Sequence, residues 1–192
     1  MTPETDPSAP RQDAILDAAF RAFSSYGYKR TSMDDIAQGV GISRSALYLH
    51  YRNKEDIFQS LAIRHFDEAL AHVANELADL QRPAVDTLAA AFAAFDGKVM
   101  DVVLGTPHGA ELLEAGHRGL ADVLGSAEAR FLEVLTDWLS AKPMPPTLGT
   151  AADLAVTIYG SLKGLKSVAK AVAPYRAAQR QLAQMLALAL GR

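Results

Sequence analysis

Residues 31–58 have the sequence T-S-M-D-D-I-A-Q-G-V-G-I-S-R-S-A-L-Y-L-H-Y-R-N-K-E-D-I-F, and the interpretation of the chain starts from them. Ser32 is followed three residues later by Asp35, a capping-box pattern that predicts a helix over residues 33–39. Gly41 predicts a sharp turn directly after that helix, because glycine adopts a positive φ without a steric cost. The pattern therefore indicates a short helix that ends in a tight turn.

A second short helix is predicted over residues 44–50, with Ser43 as its cap and Leu47 buried. Two short helices around a glycine-bearing turn are typical of a helix-turn-helix motif, whose second helix enters the major groove of DNA. The first turn of that helix would bring Arg44 and Ser45 to the base edges, and the helix N-termini would face phosphate oxygens. The predicted DNA contacts are Thr31, Ser32, Ser43, Arg44, Ser45, Ala46, Tyr48, Leu49, His50, Tyr51 and Lys54.

This stretch resembles the helix-turn-helix of the TetR family of transcriptional regulators. The matching runs are T-S-M-D-D-I-A at residues 31–37, G-I-S-R-S-A-L-Y at residues 41–48 and H-Y-R-N-K-E-D-I-F at residues 50–58. The resemblance covers roughly the first third of the chain and implies that His50 lies beside a DNA phosphate. Leu49 departs from the family pattern, which often has an aromatic residue there, so the DNA sequence that is recognised is not implied.

The composition predicts a folded chain of one or two domains with a sizeable core, since 49% of the 192 residues are hydrophobic and 21% are charged. The absence of cysteine excludes disulfides and thiolate metal sites. No apolar run approaches the roughly 20 residues that span a bilayer, and the acidic, proline-rich start is unlike a signal peptide. We therefore expect a cytoplasmic protein without a membrane partner.

The net charge of −3 hides an uneven distribution. Residues 11–54 contain seven Lys and Arg against four Asp and Glu, which gives +3. Residues 55–192 contain 12 against 16, which gives −4, and the first ten residues contribute the remaining −2. A basic head (residues 11–54) on an acidic body (residues 55–192) would turn its positive side toward DNA.

Apolar residues recur at helical spacing and no strand pattern is present, which predicts an all-α fold of about nine helices. Three parts are predicted: a disordered tail over 1–10, a three-helix helix-turn-helix DNA-binding domain over 11–53, and a helical ligand-binding and dimerisation domain over 54–192. The remaining predicted helices cover residues 11–26, 54–80, 84–104, 107–115, 118–141, 148–172 and 174–190.

The resemblance implies that the chain forms a homodimer through its last two helices. Two heads would fit a palindromic operator on double-stranded DNA, whose half-sites lie about 34–36 Å apart. Small residues four positions apart would let a second helix approach closely, although packing within one chain explains them equally well. The predicted interface residues are Gly160, Gly164, Leu182 and Leu186.

The resemblance also implies a small-molecule effector site among the middle helices of the body. An apolar cavity with a few polar groups is the usual form of such a site. Ordinary core packing is the alternative for each aromatic residue, and a solvated surface charge is the alternative for the glutamate. The predicted lining residues are Phe92, Phe95, Met100, His108, Glu111, His117, Trp138 and Tyr159.

Catalysis and cofactor binding are not expected. The chain contains no G-x-S-x-G, no phosphate-binding glycine loop and no H-E-x-x-H, and its histidines have no metal-ligand spacing. The sequence therefore predicts a DNA-binding transcriptional regulator, most simply a repressor that a small ligand releases from its operator. The alternatives are a ligand-independent DNA binder, and a helical interaction or carrier protein that no longer recognises specific DNA.

Overall fold

The computed structural model describes residues 9–79 and 81–191, apart from the side chains of residues 9, 10 and 117. The described part of the chain is helical and contains no strand, which confirms the predicted all-α class. The predicted tail over 1–10 falls almost entirely outside the described residues. The helices are α1 Ala9–Tyr26, α2 Met33–Val40, α3 Arg44–Tyr48, α4 Lys54–Ala78, α5 Ala84–Gly105, α6 Gly109–Gly119, α7 Ala121–Ser140, α8 Ala151–Val168 and α9 Val172–Ala189, with a 3-10 turn at Pro146–Leu148.

The chain packs as two compact units that share α4. The first unit contains the residues up to Arg64 together with Thr106–Val123, and the second contains His65–Gly105 and the residues from Leu124 onward. Packing therefore places α6 with the helix-turn-helix, although the sequence analysis assigned it to the body. The functional boundary at residue 53 stays a prediction.

The core of the first unit is apolar and joins α1, α2, α3 and the start of α4. Ile15, Ile36 and Leu47 are completely buried within it, one from each of the first three helices. Phe23, Tyr28 and Phe58 add aromatic contacts, with 5.6 Å between the ring centroids of Phe23 and Phe58. Burying a side chain of this size contributes about 1.5–3 kcal/mol, so the short α2 and α3 depend on this core rather than on helix propensity.

The core of the second unit is larger and is formed by α4, α5, α7, α8 and α9. Phe92, Phe131, Leu135 and Ile158 are almost completely buried in it. The α5 helix packs along α9, and this pair has the most extensive contact in the unit. In the described part of the chain, none of the helices combines the length and the apolar character needed to cross a bilayer.

The α5 helix is broken at Gly97, so the prediction of one uninterrupted helix over residues 84–104 is wrong. Gly97 has φ 53° and ψ −152°, a conformation that is open almost only to glycine. Nothing in the apolar periodicity marks the break. The surroundings also leave no room for a side chain at this position: a Cβ on Gly97 would lie 2.7 Å from Cε1 of His65, so the imidazole occupies the space that a larger residue would need.

A buried carboxylate lies next to this break. The oxygens of Asp96 accept hydrogen bonds from the Tyr175 hydroxyl at 2.6 Å and from Nε2 of Gln179 at 2.7 Å, and Lys166 Nζ lies 2.7 Å away. Burial is the largest cause of the raised pKa of Tyr175, and the negative charge of Asp96 adds to it. A buried charge is tolerated only with such partners, so this cluster fixes α5 against α8 and α9.

Other helix ends differ by a few residues from the predicted ones. The α4 helix ends at Ala78 rather than near residue 80, and α8 ends at Val168 rather than near residue 172. The α6 helix begins at Gly109 and continues to Gly119, past the predicted end at residue 115. These shifts are typical of helix ends, where the last backbone groups are satisfied by local caps that periodicity does not reveal.

Candidate nucleic-acid interface

The α2 helix has the predicted capping box. The Ser32 hydroxyl accepts a hydrogen bond from the Asp35 amide, and the Asp35 carboxylate accepts one from the Ser32 amide at 2.8 Å. The Ser32 hydroxyl also donates to the Asp35 carboxylate at 2.6 Å, and this hydrogen bond, followed by the one from the Ser32 amide, lowers the pKa of Asp35. Gly41 ends the helix in the left-handed region, at φ 78°, where its amide donates to the last carbonyls of α2. The turn into α3 therefore has the geometry that the sequence predicted.

The α3 helix carries the most exposed part of the motif. Its cap is Ser43, whose hydroxyl accepts a hydrogen bond from the Ala46 amide at 3.1 Å, and Leu47 anchors the helix in the core. Ser45 and Tyr48 are exposed on its outer side, and Leu49, directly after the helix, is 86% exposed. The helix is two residues shorter than predicted, and Leu49 forms its C-cap.

Arg44 is the first residue of α3 and is paired across the turn. Its NH1 lies 2.9 Å from Oδ2 of Asp34 in α2, and its NH2 donates to the Tyr48 hydroxyl at 3.3 Å. The Tyr48 hydrogen bond and the Asp34 charge raise the pKa of Arg44. Sequence reasoning missed Asp34 because this contact joins two helices, and no helical spacing relates residues ten positions apart.

Two of the predicted DNA contacts lie inside the first unit. Thr31 is 2% exposed, and its hydroxyl donates a hydrogen bond to the Gly27 carbonyl at 2.7 Å. Tyr51 is also buried, and burial raises the pKa of its hydroxyl. Of the other predicted contacts, Ser32 and Ser43 are exposed, and Ala46 and His50 are half-buried. A shallow polar cleft of about 530 Å³ runs beside His50 and Tyr51.

Lys54 begins α4, and its ammonium group is directed into the head rather than away from it. Nζ donates hydrogen bonds to the carbonyls of Tyr28 at 2.8 Å, Thr31 at 3.0 Å and Lys29 at 3.4 Å, and it lies 4.6 Å from the centroid of the Tyr28 ring. An ammonium group has three donors, and these carbonyls match that number. The predicted phosphate contact would have to compete with them.

The α6 helix contacts the loop between α1 and α2 within the first unit. The Glu111 carboxylate accepts a hydrogen bond from the Lys29 amide at 2.5 Å, and Leu112 packs against the apolar core of the head. A Cβ on Gly27 would lie 2.8 Å from Oε2 of Glu111 and 3.1 Å from Nδ1 of His108. Two of the predicted pocket residues, His108 and Glu111, therefore have contacts to the DNA-binding head.

The other described pocket residues lie in the second unit. Phe92, Phe95, Met100 and Trp138 are buried, and Tyr159 is half-buried. The Phe95 ring is 4.1 Å from that of Phe131, so these side chains form a packed aromatic core. The indole Nε1 of Trp138 is buried and has no hydrogen-bond partner among the described residues. The side chain of His117 lies outside the described residues.

The predicted interface residues are on the outer sides of α8 and α9. Gly160 and Gly164 are exposed, whereas Leu182 and Leu186 are half-buried against the core of the second unit. The apolar residues most exposed on these two helices are others, which the sequence analysis did not select: Val156, Val168, Met185 and Leu188, the last of them 77% exposed. Helical spacing alone predicts which residues share a face, but not which face is left uncovered.

The comparison with protein families matches residues 15–61 to bacterial regulatory proteins of the tetR family. The HTH-type transcriptional repressor Rv1474c of Mycobacterium tuberculosis is 40% identical over 70 residues, which are 36% of this chain and 37% of the repressor. The IcaR negative transcriptional regulator of the biofilm operon in Staphylococcus epidermidis is 46% identical over 48 residues, which are 25% of this chain and 26% of IcaR. The matched segments thus span between about a quarter and just over a third of these relatives' lengths, and they contain the helix-turn-helix.

A solved structure extends the similarity to nearly the whole chain. A TetR-like transcriptional regulator from Rhodococcus sp. RHA1 has a TM-score of 0.56 and 26% identity, and the match covers 96% of this chain and 95% of that one. The matched proteins are regulators rather than enzymes, in agreement with the sequence prediction. The helix-turn-helix segment of residues 15–61 thus matches the tetR family of bacterial regulatory proteins, and the all-helical fold of the chain is similar to that of a TetR-like regulator.

Proposed function

We propose that this protein is a homodimeric transcriptional repressor that binds a palindromic operator in the cytoplasm and is released by a small-molecule ligand. The observation that carries the proposal is the exposed surface of α3, where Arg44, Ser45, Tyr48 and Leu49 project from a helix that Leu47 anchors in a rigid core. An exposed leucine and a pair of polar side chains on a short capped helix suit the edges of base pairs in the major groove. The names of the M. tuberculosis and S. epidermidis relatives favour repression over activation.

The predicted DNA contacts form two groups, one that faces solvent and one that is engaged within the head. Arg44, Ser45 and Leu49 face bases in this proposal, while Ser32, Ser43, Tyr48 and His50 contact phosphates. Thr31, Tyr51 and Lys54 hold the motif in shape, since their polar atoms or rings are engaged within the head. Positively charged Lys29 and Arg30 are exposed in the loop before α2, where they add to the attraction for the DNA backbone.

The proposed dimer uses the outer sides of α8 and α9. Val156, Gly160, Gly164 and Val168 are spaced by four residues, so they lie along one side of α8, and all four are exposed. Exposed valines beside glycines would let a second copy of α8 approach closely and bury apolar surface. Met185 and Leu188 offer a similar surface on α9.

The proposed effector binds in the second unit, next to Trp138. The buried indole N–H lacks an acceptor among the described residues, and buried donors are normally paired, so a polar ligand atom would be favoured there. The α4 helix runs from the head into this unit, and the chain passes between the units again after Gly105 and within α7, so a ligand would have covalent routes through which to change the spacing of two heads. A ligand shifts that equilibrium only by binding the two states with different affinity.

The experiment that tests this function is binding to the DNA upstream of the protein's own gene, in competition with scrambled DNA, over a series of salt concentrations. We expect tight binding to one palindromic segment at two protomers per site, with an affinity that falls steeply as salt rises. Equal, weak binding to both DNAs would contradict the function and favour the carrier alternative. The variant Leu188→Asp is expected to be monomeric in sedimentation and to lose operator affinity, whereas Ala129→Asp, on the exposed side of α7, serves as its control.

A further inference from the structure

The ion pair between Asp34 and Arg44 places a carboxylate on the surface that is proposed to meet DNA. Both side chains are well exposed, 59% and 58%, and the contact joins α2 to α3 across the turn. The recorded contact uses one carboxylate oxygen, and a guanidinium has more N–H donors than its contacts with Asp34 and Tyr48 occupy. Donors and an acceptor therefore remain available side by side on the outer surface.

A structural role accounts poorly for this pair. Exposed ion pairs contribute little to stability, and the buried Ile36 and Leu47 already hold α2 against α3. At the same time, a carboxylate facing DNA is repelled by the phosphates and lowers non-specific affinity. Asp34 also lies in the first turn of α2, where the positive end of the helix dipole favours a carboxylate, but that modest gain does not require a position facing DNA. A hydrogen bond accepted from a base would offset the repulsion by the phosphates.

The hydrogen-bonding pattern of the pair matches that of one base pair. In the major groove a G·C pair presents two acceptors, N7 and O6 of guanine, followed by one donor, the N4 amino group of cytosine. Arg44 supplies donors and Asp34 supplies an acceptor in the same order. An A·T pair presents acceptor, donor and acceptor, so the guanidinium would face an amino group and the carboxylate would face O4 of thymine.

We propose that Asp34 and Arg44 together recognise a single G·C base pair, with Arg44 donating to guanine and Asp34 accepting from the cytosine amino group. The proposal rests on the DNA-binding function proposed above and assigns a specificity-determining role to Asp34. Asp34 also acts against wrong sequences, because it leaves an unpaired negative charge next to a thymine or a phosphate.

The test compares wild-type protein, Asp34→Ala and Asp67→Ala on an operator in which each G·C pair is changed in turn to A·T. Asp67 is the matched control, because it is an exposed aspartate in an ion pair with Arg130 in the second unit, and its removal changes the net charge equally. We expect one G·C pair per half-site at which wild-type and Asp67→Ala lose affinity roughly 5- to 140-fold, from about 1–3 kcal/mol per base contact. Asp34→Ala keeps the contact between Arg44 and guanine, so it is expected to lose affinity there several-fold less than wild-type does, and to bind scrambled DNA more tightly than wild-type.

A second arm uses the same two proteins, wild-type and Asp34→Ala, and changes a single chemical group in the DNA. Replacing the cytosine of that pair by 2-pyrimidinone removes the amino group alone, and we expect a loss in affinity for wild-type that Asp34→Ala does not show. If Asp34→Ala discriminates against every substitution as strongly as wild-type does, the role of Asp34 is overturned while the regulator function stands. If wild-type itself does not prefer the operator to scrambled DNA, both proposals fail together.

Discussion

Replacing Gly97 by alanine tests whether the break in α5 is enforced by the surrounding structure. A non-glycine residue at φ 53° and ψ −152° costs about 1–3 kcal/mol in backbone strain. The new Cβ would also lie 2.7 Å from Cε1 of His65, and forcing such a contact into a packed core costs about 1–3 kcal/mol more. Allowing for partial relaxation, we expect Gly97→Ala to lower the free energy of unfolding by about 3 kcal/mol, which is a fall of about 6–12 °C in Tm for a chain of this length.

The measurement is thermal and urea unfolding followed by circular dichroism. The matched control is Gly125→Ala in α7, where the glycine is exposed and an added Cβ has no neighbour within 4 Å. Because alanine is the better helix former, this control is expected to gain about 0.5–1 kcal/mol, the opposite sign for the same chemical change. The double variant His65→Ala, Gly97→Ala removes the steric contact but not the backbone strain, so the two costs separate.

A stability of Gly97→Ala equal to that of wild-type would refute this reasoning. It would mean that α5 straightens at little cost, and that neither His65 nor the Asp96 cluster holds the break. A loss that disappears completely in the double variant would assign the whole effect to the imidazole.

Three further predictions concern single side chains. Lys54→Ala is expected to lose about 2 kcal/mol in urea unfolding, because charge-assisted hydrogen bonds to loop carbonyls are removed, whereas Lys170→Ala, an exposed control, keeps wild-type stability. If Lys54→Ala instead keeps its stability but shows a flatter salt dependence of operator binding, its role is the phosphate contact. For the exposed Leu49, the operator is changed by replacing one thymine with deoxyuridine, which removes a single methyl group. We expect wild-type binding to weaken about 4-fold, from ~0.8 kcal/mol per buried carbon, and the binding of Leu49→Ala to stay the same. An equal loss in both proteins would remove Leu49 from the base contacts. Burial, and to a lesser extent the nearby positive charge of Lys166, lower the pKa of His65 from an ordinary value of 6.5 to about 4. Between pH 4 and pH 6.5 the unfolded chain binds more protons than the folded chain. The free energy of unfolding is therefore highest above pH 6.5 and falls by ~3 kcal/mol as the pH drops to 4. Unfolding measured across this range is expected to lose that dependence in His65→Gln and keep it in His72→Gln; an unchanged pH dependence in His65→Gln would contradict the assignment.

Local patterns in the sequence were sufficient for the recognition motif. The Ser32 capping box, the Gly41 turn and the Ser43 cap depend on residues within four positions of each other, and each has the predicted geometry. The all-helical class was predictable for the same reason, since apolar spacing reports which residues share a helical face. These features require no knowledge of what a helix packs against.

The roles of individual polar groups were not predictable in this way. Lys54 has the position expected of a phosphate contact, yet its ammonium is directed at three carbonyls more than 20 residues earlier in the chain. Glu111 was expected beside a ligand and instead accepts a hydrogen bond from the Lys29 amide. In both cases the partner is distant in sequence, so only the packed chain determines which donor meets which acceptor.

The sequence by itself thus determined the similarity to the tetR family, the helical fold and the capped helix α3 of the helix-turn-helix, because each follows from short-range spacing and capping. The tertiary structure decided where α5 breaks, which side chains pair with the buried Asp96, and that Asp34 stands beside Arg44. The physical reason is the range of the interactions: backbone caps and amphipathic periods act over a few residues, whereas sterics, desolvation and ion pairing depend on contacts that exist only once the helices have packed.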